Sequence, residues 1–381
     1  MIPGVGGRRP TNRDIVGLPI VPPPQLTTAV LAVRRWLGRA HRRMAPGQVR
    51  ILEGLFGLFD NRVLGLLVEL GIADLLDTPR PLDELAARGQ VDRDALERVL
   101  RYAAGRGFVA VDRRGRYGAN DVTRLLRRDH PNPWRGWVEF LGSDWHWDAW
   151  RHADDSLRRG TSGMEAATGV DFFEYVNRSE PAAGAAFNAA MAAGATMQAL
   201  ALSRALDWSD VTRVCDVGGG TGAALELLLG VHPQLEGVLF DLPEVVAQAR
   251  PRLRDGDLAG RCQMVGGSFF DDVPAGCDRY LLLAVVHDWD DAAVVRLLGR
   301  VREASHTRSR VVVVENVLPA RPDGDLADAT HLLMRVLVSG RERTRVEYAS
   351  LFARAGLVVD DERRLASGFT AFVLCEKLAQ W

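Results

Sequence analysis

The stretch that most constrains the fold of this chain is a short apolar strand that ends in a carboxylate and enters a glycine-dense turn. It covers residues 214–222, with the sequence VCDVGGGTG, and residues 223–229 after it are apolar apart from Glu226. A strand, a glycine turn and a helix in this order open an α/β domain of the nucleotide-binding type. The alternative interpretation is a plain tight turn in a parallel sheet.

The charge beside the glycine turn helps to identify its ligand. Gly218, Gly220 and Gly222 fit the Gly-x-Gly-x-Gly loop of enzymes that use S-adenosylmethionine (SAM), whereas Gly218, Gly220 and Ala223 fit the dinucleotide fingerprint. Asp216 would repel the pyrophosphate that a dinucleotide brings to the helix N-terminus. The same carboxylate would attract the ammonium and sulfonium groups of SAM. We therefore expect SAM as the ligand.

The next predicted strand also ends in a carboxylate, that of Asp241. A carboxylate at this place can accept hydrogen bonds from both hydroxyls of an adenosine ribose. NAD and SAM both contain that ribose, so Asp241 supports a nucleoside ligand without choosing between them.

Strands and helices alternate from the glycine turn to the C-terminus. This alternation predicts a mostly parallel sheet covered on both faces, with ligand and chemistry at the carboxyl ends of the strands. Between the strands we expect helices, for example at residues 292–305. The expected strands are residues 211–217, 237–240, 262–265, 279–285, 310–315 and 370–375.

Polar groups follow two of these strands at the expected active edge. The apolar run 280–286 stops at His287, and the run 311–314 stops at Glu315. A single histidine after a strand is more often a structural or capping residue. Here the hypothesis of a general base is favoured, because a base needs a near-neutral pKa and a carboxylate to hold its tautomer, and both residue types are present.

The N-terminal third predicts a winged-helix arrangement. The predicted elements are a long apolar helix at 48–76, helices at 81–88 and 92–106, the latter capped by Asp92, and a hairpin around Arg114 and Gly115. Such a domain can bind DNA. Acids are interleaved with the arginines of the helix at 92–106, however, which is typical of a solvated mixed-charge face.

Residues 130–205 are predicted to be helical and begin with many aromatic side chains. The tryptophans are Trp134, Trp137, Trp145, Trp147 and Trp150, and Phe187 and Met191 follow. Core packing is the default interpretation of any one of them. Together they can line a flat-walled cavity for an aromatic ligand.

Charge and composition limit the remaining function classes. A net charge of −1 and a pI of about 6.7 give no electrostatic reason to expect nucleic acid or an anionic membrane as a partner. We expect neither a signal peptide nor an apolar run of membrane-spanning length. The four cysteines form no Cys-x-x-Cys pair, which predicts buried free thiols in a reducing cytoplasm and no metal site.

Five sequence words in a fixed order resemble the plant caffeate-type and bacterial small-molecule O-methyltransferases. They are DVGGGTG (216–222), FDLP (240–243), HDW (287–289), ENVLP (315–319) and GRERT (340–344), and FNAAM (187–191) extends the likeness into the helical region. That family combines a Rossmann-like SAM domain with an N-terminal winged-helix dimerisation domain. The resemblance covers nearly everything after residue 48 and implies the same α/β fold and a homodimer.

The resemblance also implies roles for individual positions. His287 would take the proton from a substrate hydroxyl, Glu315 and Glu342 would flank its ring, and Trp289 would pack on the adenine. With the residues of the glycine turn included, the predicted cofactor-binding residues are Asp216, Gly218, Gly220, Asp241, Leu242, Ser268, Phe269 and Trp289. The predicted substrate-binding residues are Trp147, Phe187, Met191 and Met334.

Together these patterns predict a cytoplasmic SAM-dependent O-methyltransferase that acts on a hydroxyl of an aromatic or polyketide-like natural product. The expected parts are a partly disordered arm (1–47), a dimerisation domain (48–128), a helical linker lining the substrate pocket (129–205) and a catalytic domain (206–381). One alternative is a SAM-binding relative that catalyses hydroxylation, decarboxylation or cyclisation. The other is a winged-helix DNA-binding regulator. Neither the acceptor nor the choice between oxygen and nitrogen follows from the sequence.

Overall fold

The computed structural model describes residues 23–322 and 326–377. Residues 1–22 of the expected arm therefore lie outside the described residues. The described chain divides into two compact units. The first consists of residues 23–36, 149–180 and 194–377, and the second of residues 37–148 and 181–193.

The described residues form eighteen α-helices and eleven strands. The α-helices are α1 (Pro24–Met44), α2 (Gly47–Glu69), α3 (Ile72–Leu75), α4 (Leu82–Gly89), α5 (Arg93–Gly105), α6 (Asp121–Leu126), α7 (Arg135–Gly142), α8 (Asp144–Arg151), α9 (Ala153–Arg159), α10 (Gly163–Thr168), α11 (Phe172–Glu174), α12 (Pro181–Ala205), α13 (Ala223–Val231), α14 (Pro243–Val246), α15 (Pro251–Arg254), α16 (Asp291–Ala304), α17 (Leu326–Leu337) and α18 (Arg345–Arg354). The strands are β1 (Ala110–Val111), β2 (Tyr117–Gly118), β3 (Arg213–Val217), β4 (Glu236–Asp241), β5 (Cys262–Gly266), β6 (Arg279–Leu283), β7 (Arg310–Glu315), β8 (Val317–Leu318), β9 (Arg343–Thr344), β10 (Leu357–Arg364) and β11 (Thr370–Glu376). A π-helical turn spans Tyr175–Ser179, and 3₁₀ turns span Ala259–Arg261 and Val286–Asp288.

A seven-stranded sheet in the order β10-β11-β7-β6-β3-β4-β5 forms the centre of the first unit. Strands β7, β6, β3, β4 and β5 are parallel, whereas β11 and β10 run antiparallel at one edge. All six predicted strands are present, and the expected mostly parallel sheet is confirmed. Strand β10 was not predicted, because this edge strand contains the charged run DDERR (360–364) and lacks an apolar pattern.

Apolar side chains cover both faces of this sheet. Along β3, Val214 packs into one apolar layer, while Cys215 and Val217 pack into the other, as expected for side chains that alternate along a strand. The expectation of buried thiols holds for Cys215 and Cys277, whereas Cys262 and Cys375 are only partly buried.

The second unit contains the predicted helices and hairpin of the winged-helix arrangement. Helices α2, α4 and α5 enclose a core that includes Leu67, Leu85 and Leu100. The predicted cap of α5 is confirmed, because the Asp92 carboxylate accepts a hydrogen bond of 2.8 Å from the backbone N–H of Ala95. The predicted long helix ends earlier than residue 76, since the chain turns after Glu69 and α3 follows.

The face of α5 that could have suggested DNA binding carries ion pairs. Arg98 lies 2.7 Å from Asp94, and Arg93 contacts Asp83. Arg106 contacts Asp60, which lies on α2. These contacts support the interpretation of a solvated mixed-charge face.

Helix α2 presents a row of large apolar side chains to solvent. The exposed residues are Ile51, Leu52, Leu55, Phe56 and Phe59, which are between 46% and 65% exposed. The rings of Phe56 and Phe59 stack with their centroids 5.2 Å apart. An exposed apolar surface of this kind is typical of a protein–protein interface.

Helix α12 is long and apolar enough to cross a membrane by length and composition alone. The expectation that no stretch approaches membrane-spanning length is therefore wrong for this helix, whose hydropathy comes largely from alanine. Within the protein, 44% of its most apolar window is buried. Core helices of soluble proteins meet the same two criteria.

Candidate active site

The carboxyl ends of four neighbouring parallel strands bring the predicted polar residues to one edge of the sheet. Strand β3 leads into the glycine turn, β4 ends at Asp241, β6 leads to His287, and β7 ends at Glu315. After β6, Ala284 adopts a φ of 55°, which is uncommon for a residue with a Cβ atom. This turn takes the chain out of the sheet before the predicted end of the strand and directs it towards His287.

The glycine turn after β3 lies directly over the Asp216 carboxylate. A Cβ atom on Gly219 would lie 2.8 Å from the carboxylate carbon of Asp216, and Gly218 has a φ of 70° that favours glycine. The backbone N–H of Gly218 donates to the carbonyl of Phe240 at 2.9 Å. The turn is therefore anchored to the neighbouring strand, and Gly218 and Gly219 have no room or conformational freedom for a larger side chain.

Asp216 has the electrostatic character of a site for a cation. Its side chain is only 2% exposed, and its Oδ2 atom has no hydrogen-bond partner among the described residues. Burial, together with the charge of Asp241, raises the pKa of Asp216 to about 7. A buried carboxylate oxygen without a donor is costly, and a positively charged ligand group near the turn would stabilise its ionised form. This environment fits SAM and opposes a pyrophosphate.

Asp241 is fixed in orientation by two backbone donors. Its Oδ2 accepts a hydrogen bond from the N–H of Gly220, and its Oδ1 accepts one from the N–H of Leu242, both at 2.7 Å. Burial raises the pKa of Asp241, although these two hydrogen bonds act in the opposite direction. Each oxygen keeps a second lone pair, so the carboxylate can still accept ribose hydroxyls.

The remaining predicted cofactor residues lie in an aromatic cluster. Phe269 meets the Trp289 ring edge-on with centroids 5.8 Å apart, and Phe270 does so at 4.7 Å. The Oγ of Ser268 accepts a hydrogen bond from the N–H of Phe270 at 3.2 Å. The ring of Phe173 lies nearly parallel to Trp289, at 5.3 Å and 15°. One face of Trp289 is thus covered by protein, and its packing on adenine stays a prediction.

The His287 ring lies among three carboxylates. Its Nδ1 is 3.1 Å from Oε1 of Glu342 and 3.5 Å from Oε2 of Glu315. Its Nε2 is 3.5 Å from Oδ1 of Asp288. The three predicted catalytic residues are therefore together. Because both glutamates face Nδ1, a proton on that atom is favoured, and the Nε2 lone pair is then available to a substrate.

Glu315 also holds the backbone that carries His287. Its Oε1 accepts hydrogen bonds from the N–H groups of Val285, Val286 and His287, at 3.2, 2.7 and 3.3 Å. The side chain is completely buried. One carboxylate thus fixes the loop through one oxygen and faces the imidazole through the other.

The electrostatics of this cluster make His287 a stronger base than the near-neutral imidazole expected from the sequence, so its ring must release a proton before it can accept one from a substrate. Burial alone would lower the pKa of His287, but Glu315, Glu342 and Asp288 outweigh it and hold the pKa well above its usual range. Burial raises the pKa of Glu315, and it raises the pKa of Asp288 to about 6. One imidazole cannot neutralise three carboxylates, so the cluster retains protons near neutral pH. Perturbed pKa values of this kind are typical of acid–base sites.

Sequence reasoning missed several residues that shape this site. Arg343 is completely buried and bonds to the loop that carries His287. A Cβ atom on Gly340 would lie 2.0 Å from the carbonyl oxygen of His287, so only glycine fits there. Asp288 approaches the imidazole. The word GRERT contained the first two, but no spacing pattern indicated that they contact residues more than fifty positions earlier in the chain.

The predicted substrate residues divide between the two units. Trp147, Phe187 and Met191 belong to the second unit and are partly buried; the Phe187 ring lies 5.6 Å from that of Phe140. Met334 lies on α17 in the first unit and is 8% exposed. Their joint contribution to an acceptor pocket stays a prediction.

The same three predicted catalytic side chains could also offer ligand atoms to a metal ion. One atom each from His287, Glu315 and Glu342 lies within 4.8 Å of the others. Three backbone donors already occupy one oxygen of Glu315. A hydrogen-bonded acid–base group explains the arrangement, and removal of divalent ions tests it.

Two family models match this chain. Residues 150–358 match an O-methyltransferase domain, and residues 52–129 match an O-methyltransferase dimerisation domain. The first match contains the glycine turn, Asp241, His287, Glu315 and Glu342. The second contains the winged-helix elements.

Individual relatives agree with these matches. The mitomycin biosynthesis 6-O-methyltransferase of Streptomyces lavendulae is 34% identical, over 85% of this chain and 92% of its own length. The phenazine-1-carboxylate N-methyltransferase of Pseudomonas aeruginosa is 33% identical, over 81% and 92%. An O-methyltransferase from neocarzinostatin biosynthesis, solved with SAM and 2-hydroxy-5-methyl naphthoic acid, has a TM-score of 0.68 and 31% identity, covering 83% of this chain and 96% of that one.

Proposed function

Because the chain belongs to the SAM-dependent O-methyltransferase family that carries an N-terminal dimerisation domain, we propose that it methylates a phenolic hydroxyl of an aromatic natural product, with His287 as the general base. SAM is the cofactor of this family member. The observation that carries the proposal is the position of the His287 ring, 3.1 Å from Glu342 and 3.5 Å from Glu315 at the carboxyl edge of the sheet.

We propose that residues in the glycine turn and in the loops after β4 and β6 hold SAM. Asp216 would face a positively charged group, and Asp241 would accept the ribose hydroxyls. Gly218 and Gly220 would let the backbone approach the nucleoside, and Trp289 would contact the adenine. When bound, SAM supplies an electrophilic methyl group on a sulfonium.

His287 would remove the proton from the acceptor hydroxyl. A phenol with a pKa near 10 is mostly protonated at neutral pH, so its oxygen must lose a proton as it attacks. Nδ1–H of His287 donates to Glu342, and Nε2 accepts the hydroxyl proton. Glu315 and Glu342 then stabilise the imidazolium. Such general-base help contributes roughly 10²–10⁴ in rate, and positioning of the acceptor contributes much of the remainder.

The active protein is proposed to be a homodimer. The match to a dimerisation domain at residues 52–129 supports this, as does the exposed apolar row on α2 that begins at Ile51 and ends at Phe59. Burial of this row against a second copy would remove large apolar side chains from water.

A product assay tests the proposed reaction. Purified protein is incubated with SAM and a panel of phenols that includes 2-hydroxy-5-methyl naphthoic acid, and methylated products are identified by mass spectrometry. We expect His287→Ala to lower the rate by about 10²–10⁴-fold. The control His306→Ala changes a histidine whose side chain is 44% exposed and which precedes β7 at the opposite edge of the sheet, and it should retain activity. Equal rates in wild type and His287→Ala would overturn the base, and methylation of none of the phenols would overturn the acceptor class.

Methylation of nitrogen is a second candidate, because one relative is a phenazine-1-carboxylate N-methyltransferase. A ring nitrogen with an available lone pair needs no base. His287→Ala would then leave the rate on such an acceptor almost unchanged, and the position of the methyl group in the product, determined by NMR, decides between the two.

A further inference from the structure

Arg343 is a completely buried side chain whose hydrogen-bonding capacity is fully used. Its exposed fraction is 0%. An arginine has five N–H donors, and five bonds are present. They go to the carbonyls of Val286 (3.2 Å), Trp289 (2.7 Å) and Arg341 (3.2 Å) and twice to Oδ1 of Asp291 (3.0 and 2.8 Å).

The partners of Arg343 enclose the proposed base on both sides. Val286 immediately precedes His287, and Trp289 follows Asp288, so two of the bonded carbonyls frame the two residues between them. Asp291 begins α16, which continues from this loop. The guanidinium therefore fixes the loop at its start, at its end and at the helix after it.

The residues next to Arg343 in the chain reach the same loop. Glu342 contacts the His287 ring at 3.1 Å. The backbone of Gly340 packs so closely on residues 287–289 that a Cβ atom would lie 2.5 Å from the nitrogen of Trp289. Arg343 pairs with Val317 in the short parallel ladder of β8 and β9, just after Glu315. The segment thus connects the base to both glutamates.

We propose that Arg343 is a positioning residue that holds the loop of His287 so that the imidazole stays within reach of Glu342 and Glu315. The inference rests on the proposed base role of His287. Burying a guanidinium is costly unless it is paired and fully bonded, and here four of the five bonds go to Val286, Trp289 and Asp291, in the loop of His287 and at the start of the helix after it. Lysine has three donors on a single nitrogen and no planar fork, so it cannot replace all five of these bonds.

Arg343→Lys is the first test, with Arg341→Lys as the matched control. Arg341 lies in the same segment and also contacts Asp291, at 3.3 Å, but its side chain is 41% exposed. A displacement of about 1 Å can cost roughly 10²-fold in rate. We expect Arg343→Lys to lower kcat by about 10–10²-fold while the KM for the acceptor is unchanged and SAM still binds. A wild-type kcat in a folded Arg343→Lys protein would overturn the inference.

Combination with His287→Ala separates positioning from general stabilisation. If Arg343 acts through His287, its replacement causes no further loss of kcat once the imidazole is gone, because the two effects share one cause. Losses that multiply in the double variant would mean that Arg343 acts elsewhere, and the inference would fail.

Asp291→Ala keeps the test valid if Arg343→Lys does not fold. It removes the acceptor of two of the five bonds from a side chain that is 39% exposed. We expect a smaller fall in kcat and a lower titration midpoint of His287, followed by NMR of ¹³Cε1-labelled histidine without SAM or acceptor. The signal is assigned by its loss in His287→Ala. An unchanged midpoint together with an unchanged kcat would contradict the inference.

The outcomes also distinguish this inference from the proposed function. If His287→Ala retains full activity, the base role itself fails. If His287→Ala is slow while Arg343→Lys is as fast as wild type, only the positioning role fails.

Discussion

Replacement of Asp216 by asparagine tests why the glycine turn takes a cationic cofactor. The carboxylate is 2% exposed, and its Oδ2 atom is left without a donor among the described residues. Interactions that involve a charged group contribute about 1.5–3 kcal/mol, and about 1.4 kcal/mol corresponds to a factor of ten in affinity. At about pH 8, where the carboxylate with a pKa of about 7 is ionised, we expect Asp216→Asn to raise the Kd for SAM by roughly 10–10²-fold.

The carboxylate of Asp216 should make SAM binding weaker as the pH falls. The pKa of Asp216 is raised to about 7 in the protein without ligand, and SAM favours the ionised form. Below about pH 7, binding therefore requires loss of a proton, and the Kd for wild type should rise by up to about tenfold for each unit that the pH falls. The slope should be smaller in Asp216→Asn, which has lost this titrating carboxylate.

Isothermal titration calorimetry with SAM across this pH range measures both effects. Asp255→Asn is the control, because its carboxylate is 64% exposed. The reasoning is refuted if Asp216→Asn binds SAM as tightly as wild type at about pH 8, or if the two proteins show the same slope.

Glu342→Gln removes a carboxylate that raises the pKa of His287. In the wild type, kcat should rise with pH as the imidazolium loses its proton. The variant should have a lower kcat, and the acid limb of its kcat–pH profile should be shifted to lower pH. Dialysis against a chelator such as EDTA should leave kcat unchanged, whereas a loss that added divalent ions restore would point to a metal at His287. Phe56→Glu places a charge in the apolar row of α2, and sedimentation should show dissociation to monomers; Val346→Glu, at a residue that is 78% exposed on α18, should leave the oligomeric state unchanged.

The sequence was most informative where chemistry is local along the chain. The turn after β3 combines an apolar strand, glycines and Asp216 in nine consecutive residues, so its structure could be predicted, and the cofactor expected from it is that of the family. His287 and Glu315 were predicted for the same reason, since each follows an apolar strand and parallel strands bring their ends together.

The parts that could not be predicted depend on contacts between distant segments. Nothing in the sequence distinguishes Arg343 from the other arginines. Its role becomes visible only in the fold, where its side chain is buried against the loop that contains Val286 and Trp289. The left-handed conformation of Ala284 could not be predicted either, because alanine usually avoids that conformation. Strand β10 has no apolar pattern of its own, and it joins the sheet by pairing with β11.

The central claim, that His287 removes the proton of the acceptor, is tested most directly by varying the acidity of that proton. Single-turnover rates are measured for wild type and His287→Ala with a series of substituted phenols whose pKa values range from about 10 to about 6. A base matters most when the hydroxyl is protonated, so the account predicts that the deficit of His287→Ala is large for the weakest acids and nearly disappears for phenols that are already ionised. A deficit of the same size across the whole series would contradict it.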